Sequence, residues 1–121
     1  MKVDLIIGTQ FGDEGKGCLA EWLSKNNKYD IAVRTSGANA GHATTDREFH
    51  NMPAACLEVP RVYIPACGVI DVEAFVEEIE WATARNNDLL VYVSPFAAVI
   101  TEKGASSPYG SMGVGVGKTR I

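Results

Sequence analysis

The sequence predicts an α/β fold in which a mainly parallel central sheet is flanked by helices. Short apolar stretches of strand length alternate with longer stretches of helical period. A Gly-rich, charged loop follows the first apolar stretch and leads into a helix, the order in which α/β proteins hold phosphate. With 121 residues, 46% of them hydrophobic and 21% charged, the chain has the size and composition of one globular domain. We therefore expect residues 1–121 to form a single α/β nucleotide-binding domain.

The first strand and the first helix are predicted from the N-terminal hydrophobic pattern. Residues 3–8 are apolar at nearly every position after Asp4, as in a buried parallel strand. Residues 15 to about 26 follow a helical period with one apolar stripe and one polar face. The stripe comprises Leu19, Trp22 and Leu23, and the face expected in water comprises Glu21, Ser24 and Lys25.

Between residues 29 and 64 the pattern changes to short strands around one long loop. Residues 29–34 predict the second strand, and residues 35–45 are small, polar and Gly-rich without either period. They predict a loop that is too long to be only a turn. A short strand is expected over residues 47–50, a bend over 51–55, and a further strand over 61–64.

The second helix is predicted over residues 72–85, because Asp71 is a favourable N-cap and an apolar stripe follows it. The stripe comprises Val72, Phe75, Val76, Ile79 and Ala82, and the residues expected in water are Glu73, Glu77, Glu78 and Glu80. Trp81 lies off the stripe and indicates a contact with another element or another chain. Residues 89–93 predict the last strand.

Charge, hydropathy and cysteine content narrow the class of protein. A net charge of −4 and a pI near 5.1 argue against nucleic acid or an anionic membrane as the main partner. No apolar run reaches membrane-spanning length, and the first residues lead straight into the predicted strand, which leaves no room for a signal peptide. The three cysteines form no CxxC pair, so we expect reduced thiols, a cytoplasmic protein and no structural zinc.

The first motif is the loop of residues 8–17, GTQFGDEGKG, here called the phosphate loop. Its glycines let backbone N–H groups converge on an anion, and the N-terminus of the following helix adds about half a positive charge. Lys16 supplies a full positive charge. The loop therefore predicts phosphate binding.

The phosphate loop departs from the strict P-loop pattern in two places. Six residues separate Gly8 from Gly15, and Gly17 occupies the position of the magnesium-binding hydroxyl. Asp13 would repel phosphate unless a metal ion or a proton transfer requires a carboxylate there. The alternative is a tight turn without a ligand, in which Asp13 and Glu14 only complement the helix dipole.

The second motif is Asn39-Ala40-Gly41-His42, which follows the second predicted strand. Residues 38–42 are here called the NAGH loop. It is expected at the carboxyl edge of the sheet, together with the phosphate loop, and ligands of open α/β sheets bind at that edge. Histidine exchanges protons near neutral pH, although a lone loop histidine is ordinarily an exposed residue.

The two motifs, residues 8–17 and 39–42, resemble the adenylosuccinate synthetase family. That family carries GTQ(W/F)GDEGKG near its N-terminus and NAGHT roughly one strand later. Both motifs match in order and spacing, except that Ala43 replaces the threonine. Two weaker likenesses are His50 with residues 52–54, similar to HxxPSG, and residues 111–117, similar to a drifted TTGRGIGP loop.

The resemblance implies an enzyme of purine biosynthesis that joins L-aspartate to IMP at the expense of GTP, with magnesium, through a 6-phosphoryl-IMP intermediate. It implies that Asp13 is the general base on N1 of the purine and a metal ligand. It also implies that His42 is the acid, that the Gly41 carbonyl binds magnesium, and that Asn39 holds IMP. The implied nucleotide-binding set is Gly12, Asp13, Glu14, Gly15, Lys16, Gly17, Asn39, Ala40, Gly41, His42 and Ser111.

Departures from the family leave several alternatives open. Members are several times longer, so we expect this chain to be the N-terminal part of a longer synthetase, working as a homodimer in which a partner lends an arginine. In the drifted tail the arginine position holds Val114. A viral-type relative that converts dGMP to the 2-amino analogue is one alternative, although Asp13 favours IMP because those relatives replace it. The others are ATP as phosphate donor, a non-catalytic purine-nucleotide-binding fragment, and an unrelated P-loop-like phosphatase or kinase, which the missing Ser/Thr after Lys16 disfavours.

Overall fold

The computed structural model describes residues 2–8, 15–38 and 40–101. Within these ranges the helices are α1 (Lys16–Asn26) and α2 (Val72–Arg85). The strands are β1 (Ala32–Val33), β2 (His42–Ala43), β3 (Glu48–Phe49), β4 (Arg61–Ile64), β5 (Val69–Ile70), β6 (Leu90–Val93) and β7 (Ala98–Val99). The predictions for residues 9–14, for Asn39 and for Ser111 in the tail lie outside the described residues.

The central sheet is parallel, with the strand order β1-β4-β6. Its register aligns Val33 with Tyr63 and Tyr63 with Tyr92. The residues that follow these strands are also neighbours. Gly37, after β1, forms an isolated parallel bridge with Val69 of β5, and β5 pairs in parallel with β7. β2 and β3 form a separate antiparallel hairpin. The α/β class with a mainly parallel sheet is thus confirmed, and the NAGH loop follows the carboxyl end of β1.

The core lies between this sheet, α2 and the turns of residues 50–60. It comprises Phe49, Met52, Cys56, Val59, Val62, Ile64, Ile70, Phe75, Ala82 and Leu89. The other face of the sheet is open, since Val33 and Tyr92 are about half exposed. Burial of apolar area on one face, at about 25 cal/mol per Å², therefore supplies the main stabilisation of the sheet. Neither helix in the described part of the chain is long and apolar enough to cross a membrane.

The N-terminal segment, residues 2–8, is not a strand, so the prediction of a first strand over residues 3–8 is wrong. Val3, Leu5 and Ile7 are 77%, 75% and 71% exposed, and β1 is an edge of its sheet. The Tyr29 hydroxyl donates to the Asp4 carboxylate beside the segment. Apolar periodicity predicts burial but does not supply the neighbouring strand that a hydrogen-bond ladder requires. The segment that precedes the phosphate loop therefore lies outside the described sheet.

Helix α1 has nearly the predicted length, but the face that is buried is not the predicted apolar stripe. Glu21, expected in water, is 7% exposed, whereas Leu19 and Trp22 of the predicted stripe are 46% and 60% exposed. The Glu21 carboxylate accepts hydrogen bonds from the backbone N–H and the hydroxyl of Thr45, at 3.2 and 3.0 Å. Polar contacts with the hairpin turn therefore set the orientation of α1, and its hydrophobic period does not.

Helix α2 spans the predicted residues, with two differences in its faces. Val72 and Val76 are about half exposed, and Glu78, expected in water, is 1% exposed. The contact expected of Trp81 is confirmed, since its ring packs edge-on against Phe49 with the centroids 5.5 Å apart. The stripe that is buried on α2 runs through Phe75, Glu78 and Ala82.

The remaining strand predictions hold with shifted boundaries. β1 is shorter than residues 29–34, β3 and β6 lie inside their predicted segments, and β4 matches residues 61–64. β2 lies inside the predicted loop of residues 35–45, because its pairing with β3 gives a polar, non-periodic segment a strand partner. Cys18, Cys56 and Cys67 are reduced and form no disulfide with one another.

Candidate functional site

The end of the phosphate loop is shaped by glycine. Gly15 is the N-cap of α1 with φ 74°, a left-handed conformation in which a Cβ costs about 1–2 kcal/mol. Helix α1 begins at the next residue, Lys16, and its cap makes no side-chain hydrogen bond. The first turn of α1 contains no acidic residue, and Lys16, the first residue of the helix, carries a positive charge there.

The start of α1 lies directly against β2. A Cβ on Gly17 would lie 2.9 Å from the carbonyl carbon and the nitrogen of Ala43, and closer still to its oxygen. The Cys18 thiol donates to the same carbonyl at 3.4 Å. Gly17 is therefore a close-approach glycine. It brings the end of the first motif into contact with the end of the second, because Ala43 follows His42.

His42 is half-buried at the start of β2, opposite Phe49. The pKa of its imidazole is lowered to about 4, most strongly by burial and in addition by the positive charges of Arg34 and Lys16 and by the ring of His50. The side chain is therefore neutral at neutral pH. It can donate one N–H hydrogen bond without carrying a charge, and a bound anion would raise its pKa by favouring the charged form.

Two side chains hold the backbone of the NAGH loop. The buried Arg34 guanidinium donates to the Ala40 carbonyl and also to the carbonyls of Phe49 and Met52, at 3.0 and 3.2 Å. The Nδ1 atom of His50 lies 3.1 Å from the Ala38 carbonyl oxygen. Since a carbonyl only accepts, Nδ1 carries the proton in this contact. The two carbonyls that flank position 39 are thus both fixed.

Glu78 of α2 holds the segment of residues 49–52 from the other side. Its carboxylate accepts the backbone N–H groups of His50, Asn51 and Met52, at 3.2, 3.0 and 2.9 Å, and the Asn51 side-chain amide at 3.0 Å. Arg34 binds carbonyls of this segment and Glu78 binds its amides. The segment is therefore clamped between two buried, oppositely charged side chains.

Sequence reasoning missed both members of this clamp. Glu78 lies three residues after Phe75 and four before Ala82, which places it on the stripe that is buried, and that spacing was a usable signal. Arg34 ends a short apolar segment and precedes small residues. Nothing in that local pattern distinguishes it from an exposed arginine.

Of the two predicted magnesium ligands only Gly41 is described, and it is exposed. Within residues 2–8, 15–38 and 40–101 no group of three or more His, Cys, Asp or Glu side chains could hold a metal ion. The magnesium site therefore remains a prediction that rests on Asp13 and the Gly41 carbonyl.

Comparisons with known proteins match most of the chain. Residues 5–106 match the family model for adenylosuccinate synthetase. The chain belongs to the adenylosuccinate synthetase family. It is 38% identical over 103 residues to the adenylosuccinate synthetase of Thermoplasma volcanium, covering 81% of this chain and 23% of that relative. The chain thus spans about a quarter of the length of such relatives.

Phage proteins are also similar to this family member. The N6-succino-2-amino-2'-deoxyadenylate synthase of Vibrio phage phiVC8 is 30% identical over 125 residues, covering 97% of this chain and 36% of that protein. The solved structure of succinoaminodeoxyadenylate synthetase from cyanophage S-2L, bound to dGMP and to dATP as an energy donor, matches with a TM-score of 0.62 and 28% identity. That match covers 75% of this chain and 27% of the phage chain. The family resemblance and the fold class are confirmed, whereas the roles of individual site residues remain predictions.

Proposed function

We propose that this chain forms the phosphate- and IMP-binding part of a ligase that joins L-aspartate to IMP in purine biosynthesis, with GTP as the phosphate donor. The contact between Gly17 and Ala43 supports this most directly. It places the helix that starts at Lys16 beside the strand that starts at His42, in a chain of the adenylosuccinate synthetase family.

In the proposed reaction, Asp13 removes the proton from N1 of IMP, and the purine O6 attacks the γ-phosphate of GTP with GDP as the leaving group. The amine of aspartate then displaces phosphate from C6 and forms the new carbon–nitrogen bond. Lys16 and the N-terminal N–H groups of α1 offset the phosphate charge. The proposed nucleotide contacts also include Gly12, Glu14, Gly15, Gly17, Asn39, Ala40, Gly41 and Ser111.

His42 is the proposed acid at O6. Its pKa of about 4 leaves it neutral before substrate binds, so it first donates a hydrogen bond rather than a charge. Phosphate groups arriving beside Lys16 raise that pKa and allow the imidazole to become an imidazolium. A neutral histidine also avoids adding a third positive charge next to Arg34 and Lys16 in the ligand-free protein.

Three further parts of the proposal come from the family. Asp13 and the Gly41 carbonyl would hold magnesium, which neutralises phosphate charge when bound. The protein would act as a homodimer, with the partner supplying an arginine. It would work in the cytoplasm. Each is independent of the Gly17–Ala43 contact.

A second candidate substrate is dGMP, giving the 2-amino analogue. The likeness to the Vibrio phage protein over 97% of this chain favours it. Asp13 favours IMP instead, because the proposed N1 deprotonation needs a carboxylate base. A comparison of IMP with dGMP, and of GTP with ATP and dATP, separates the two candidates.

The test is a calorimetric titration of the 121-residue chain with each nucleotide, followed by an absorbance assay for adenylosuccinate with IMP, GTP, magnesium and aspartate. We expect weak IMP binding and little turnover, because groups that position aspartate are worth about 7–11 kcal/mol of barrier and are not recognisable in this chain. In any active form of the protein, Asp13→Ala should abolish turnover. A turn without a ligand predicts instead only about 1 kcal/mol of lost stability. Preferential dGMP binding would replace the first candidate with the second.

A further inference from the structure

The described residues of the NAGH loop that precede His42 have no long side chain with which to anchor the loop. Ala38 is buried and Ala40 is half-buried, and Gly41 lacks a side chain. We propose that Arg34 is a positioning residue for the ligation, because its guanidinium fixes the Ala40 carbonyl and thereby the loop that contains Asn39 and His42. This inference rests on the proposed function, since Arg34 can position the loop for ligation only if the loop binds a purine nucleotide.

The hydrogen bonds of Arg34 join three separate parts of the chain. One nitrogen, Nη2, donates to Ala40, and the other, Nη1, donates to both Phe49 and Met52. The NAGH loop is thereby tied to β3 and to the turn that follows it. A planar fork of donors suits this task, whereas the single ammonium of lysine cannot span carbonyls on two sides.

The guanidinium is buried and remains charged. Arg34 is 3% exposed, and burial lowers its pKa only to about 10, opposed by the negative charges of Glu78 and Glu48. Hydrogen bonds from a charged donor are about twice as strong as neutral ones. Burial of a full charge is costly unless the charged group is hydrogen-bonded, and here three backbone carbonyls accept hydrogen bonds from the guanidinium. Arg34 is therefore a fixed internal support and not a solvated surface group.

A second side chain, that of His50, holds the start of the NAGH loop. His50 holds the Ala38 carbonyl at 3.1 Å, so the backbone is fixed on both sides of that position. His50 is in turn held by the bond from its backbone N–H to Glu78. Loss of the Arg34 anchor frees the side of the loop that leads to Gly41 and His42. Loss of the His50 anchor frees the other side.

The experiment compares Arg34→Lys and Arg34→Met with Arg47→Met as the matched control. The Arg47 side chain, in the β2–β3 hairpin, also donates several hydrogen bonds, to Glu77 and to the Glu48 carbonyl, but none to the described residues of the NAGH loop. The first readout is hydrogen exchange of the amides of residues 40–43. We expect exchange at least about tenfold faster in Arg34→Met, an intermediate change in Arg34→Lys, and unchanged exchange across α2.

The second readout is nucleotide affinity, measured separately for IMP and GTP. We expect IMP affinity to fall about tenfold in Arg34→Met while GTP affinity is retained. The reason is that the Arg34 side chain donates its hydrogen bonds to Ala40, Phe49 and Met52, and none of these bonds goes to residues 15–17, the described end of the phosphate loop. If Arg34→Met does not fold, Arg34→Lys keeps the charge and decides the question by the same readouts. Unchanged exchange at residues 40–43, or an equal rise throughout α2, would overturn the positioning role. Faster loop exchange in a protein whose wild type binds no IMP would overturn the proposed function but support the anchor.

Discussion

The two loops of the site are supported in opposite ways. The conformation at the described end of the phosphate loop depends on residues that have no side chain. Gly15 adopts a left-handed φ, and Gly17 leaves room for the Ala43 carbonyl. The NAGH loop depends on long side chains that reach it from other parts of the chain, namely Arg34 and His50, with Glu78 behind them.

This difference decides how each loop responds to change. Replacement of a glycine at a close approach introduces a steric overlap, which is local and costs a moderate amount of free energy. Replacement of a buried charged side chain of the clamp leaves several hydrogen-bond donors or acceptors without partners in a medium of low dielectric constant. We therefore expect larger effects from the clamp than from the glycines, and the predictions below follow that order.

The largest effect is expected for Glu78→Gln. The carboxylate accepts from three successive backbone N–H groups and the Asn51 amide, and a glutamine presents its own NH₂ group to some of them. We expect a loss of about 3–5 kcal/mol in the free energy of unfolding, as for the breaking of other buried charge networks. Denaturant-induced unfolding of the folded chain measures it.

The matched control for this change is Glu80→Gln on the same helix. Glu80 is exposed, so the same chemical change should shift the unfolding free energy by no more than about 0.5 kcal/mol. Equal effects at the two positions would show that the buried carboxylate does not support the clamp.

A smaller effect is expected for Gly17→Ala. The added methyl group overlaps the Ala43 backbone, which costs about 1–3 kcal/mol, against at most about 1 kcal/mol gained from better helix propensity. We expect net destabilisation and shifted NMR signals of the amides at His42 and Ala43. Cys18→Ala, which removes only an exposed thiol contact, should be nearly neutral. Stabilisation by Gly17→Ala would mean that α1 and β2 do not approach so closely.

The last expected effect is a pH dependence of stability from His42, which lies where the two loops meet. Its folded pKa of about 4 lies below the ordinary 6.5, so the unfolded chain binds more protons between these values. His42 therefore contributes stability above about pH 6.5 that is lost as pH falls towards about 4. An NMR titration of the ring, with the urea-unfolded chain as reference, measures the pKa directly. A folded pKa near that reference would contradict the burial, and added IMP should raise the folded value.

The sequence by itself determined the features that depend on local chemistry. The helices over residues 16–26 and 72–85, the strand over residues 61–64 and the α/β class follow from hydrophobic period and capping, which act within a few residues. The two motifs, residues 8–17 and 39–42, indicated the family, because the family carries both motifs in the same order and with the same spacing.

Only the tertiary structure decided which residues are buried where the chain meets itself. It turned α1 so that Glu21 faces Thr45, left residues 2–8 outside the sheet, and placed Glu78 and Arg34 on either side of residues 49–52. The partners of these side chains at Thr45 and in residues 49–52 lie 15 to 28 residues away. A local pattern records how polar a residue is, but a buried charge is stable only through partners that folding brings to it. For that reason the supports of the NAGH loop could not be read from the sequence, although the loop itself could.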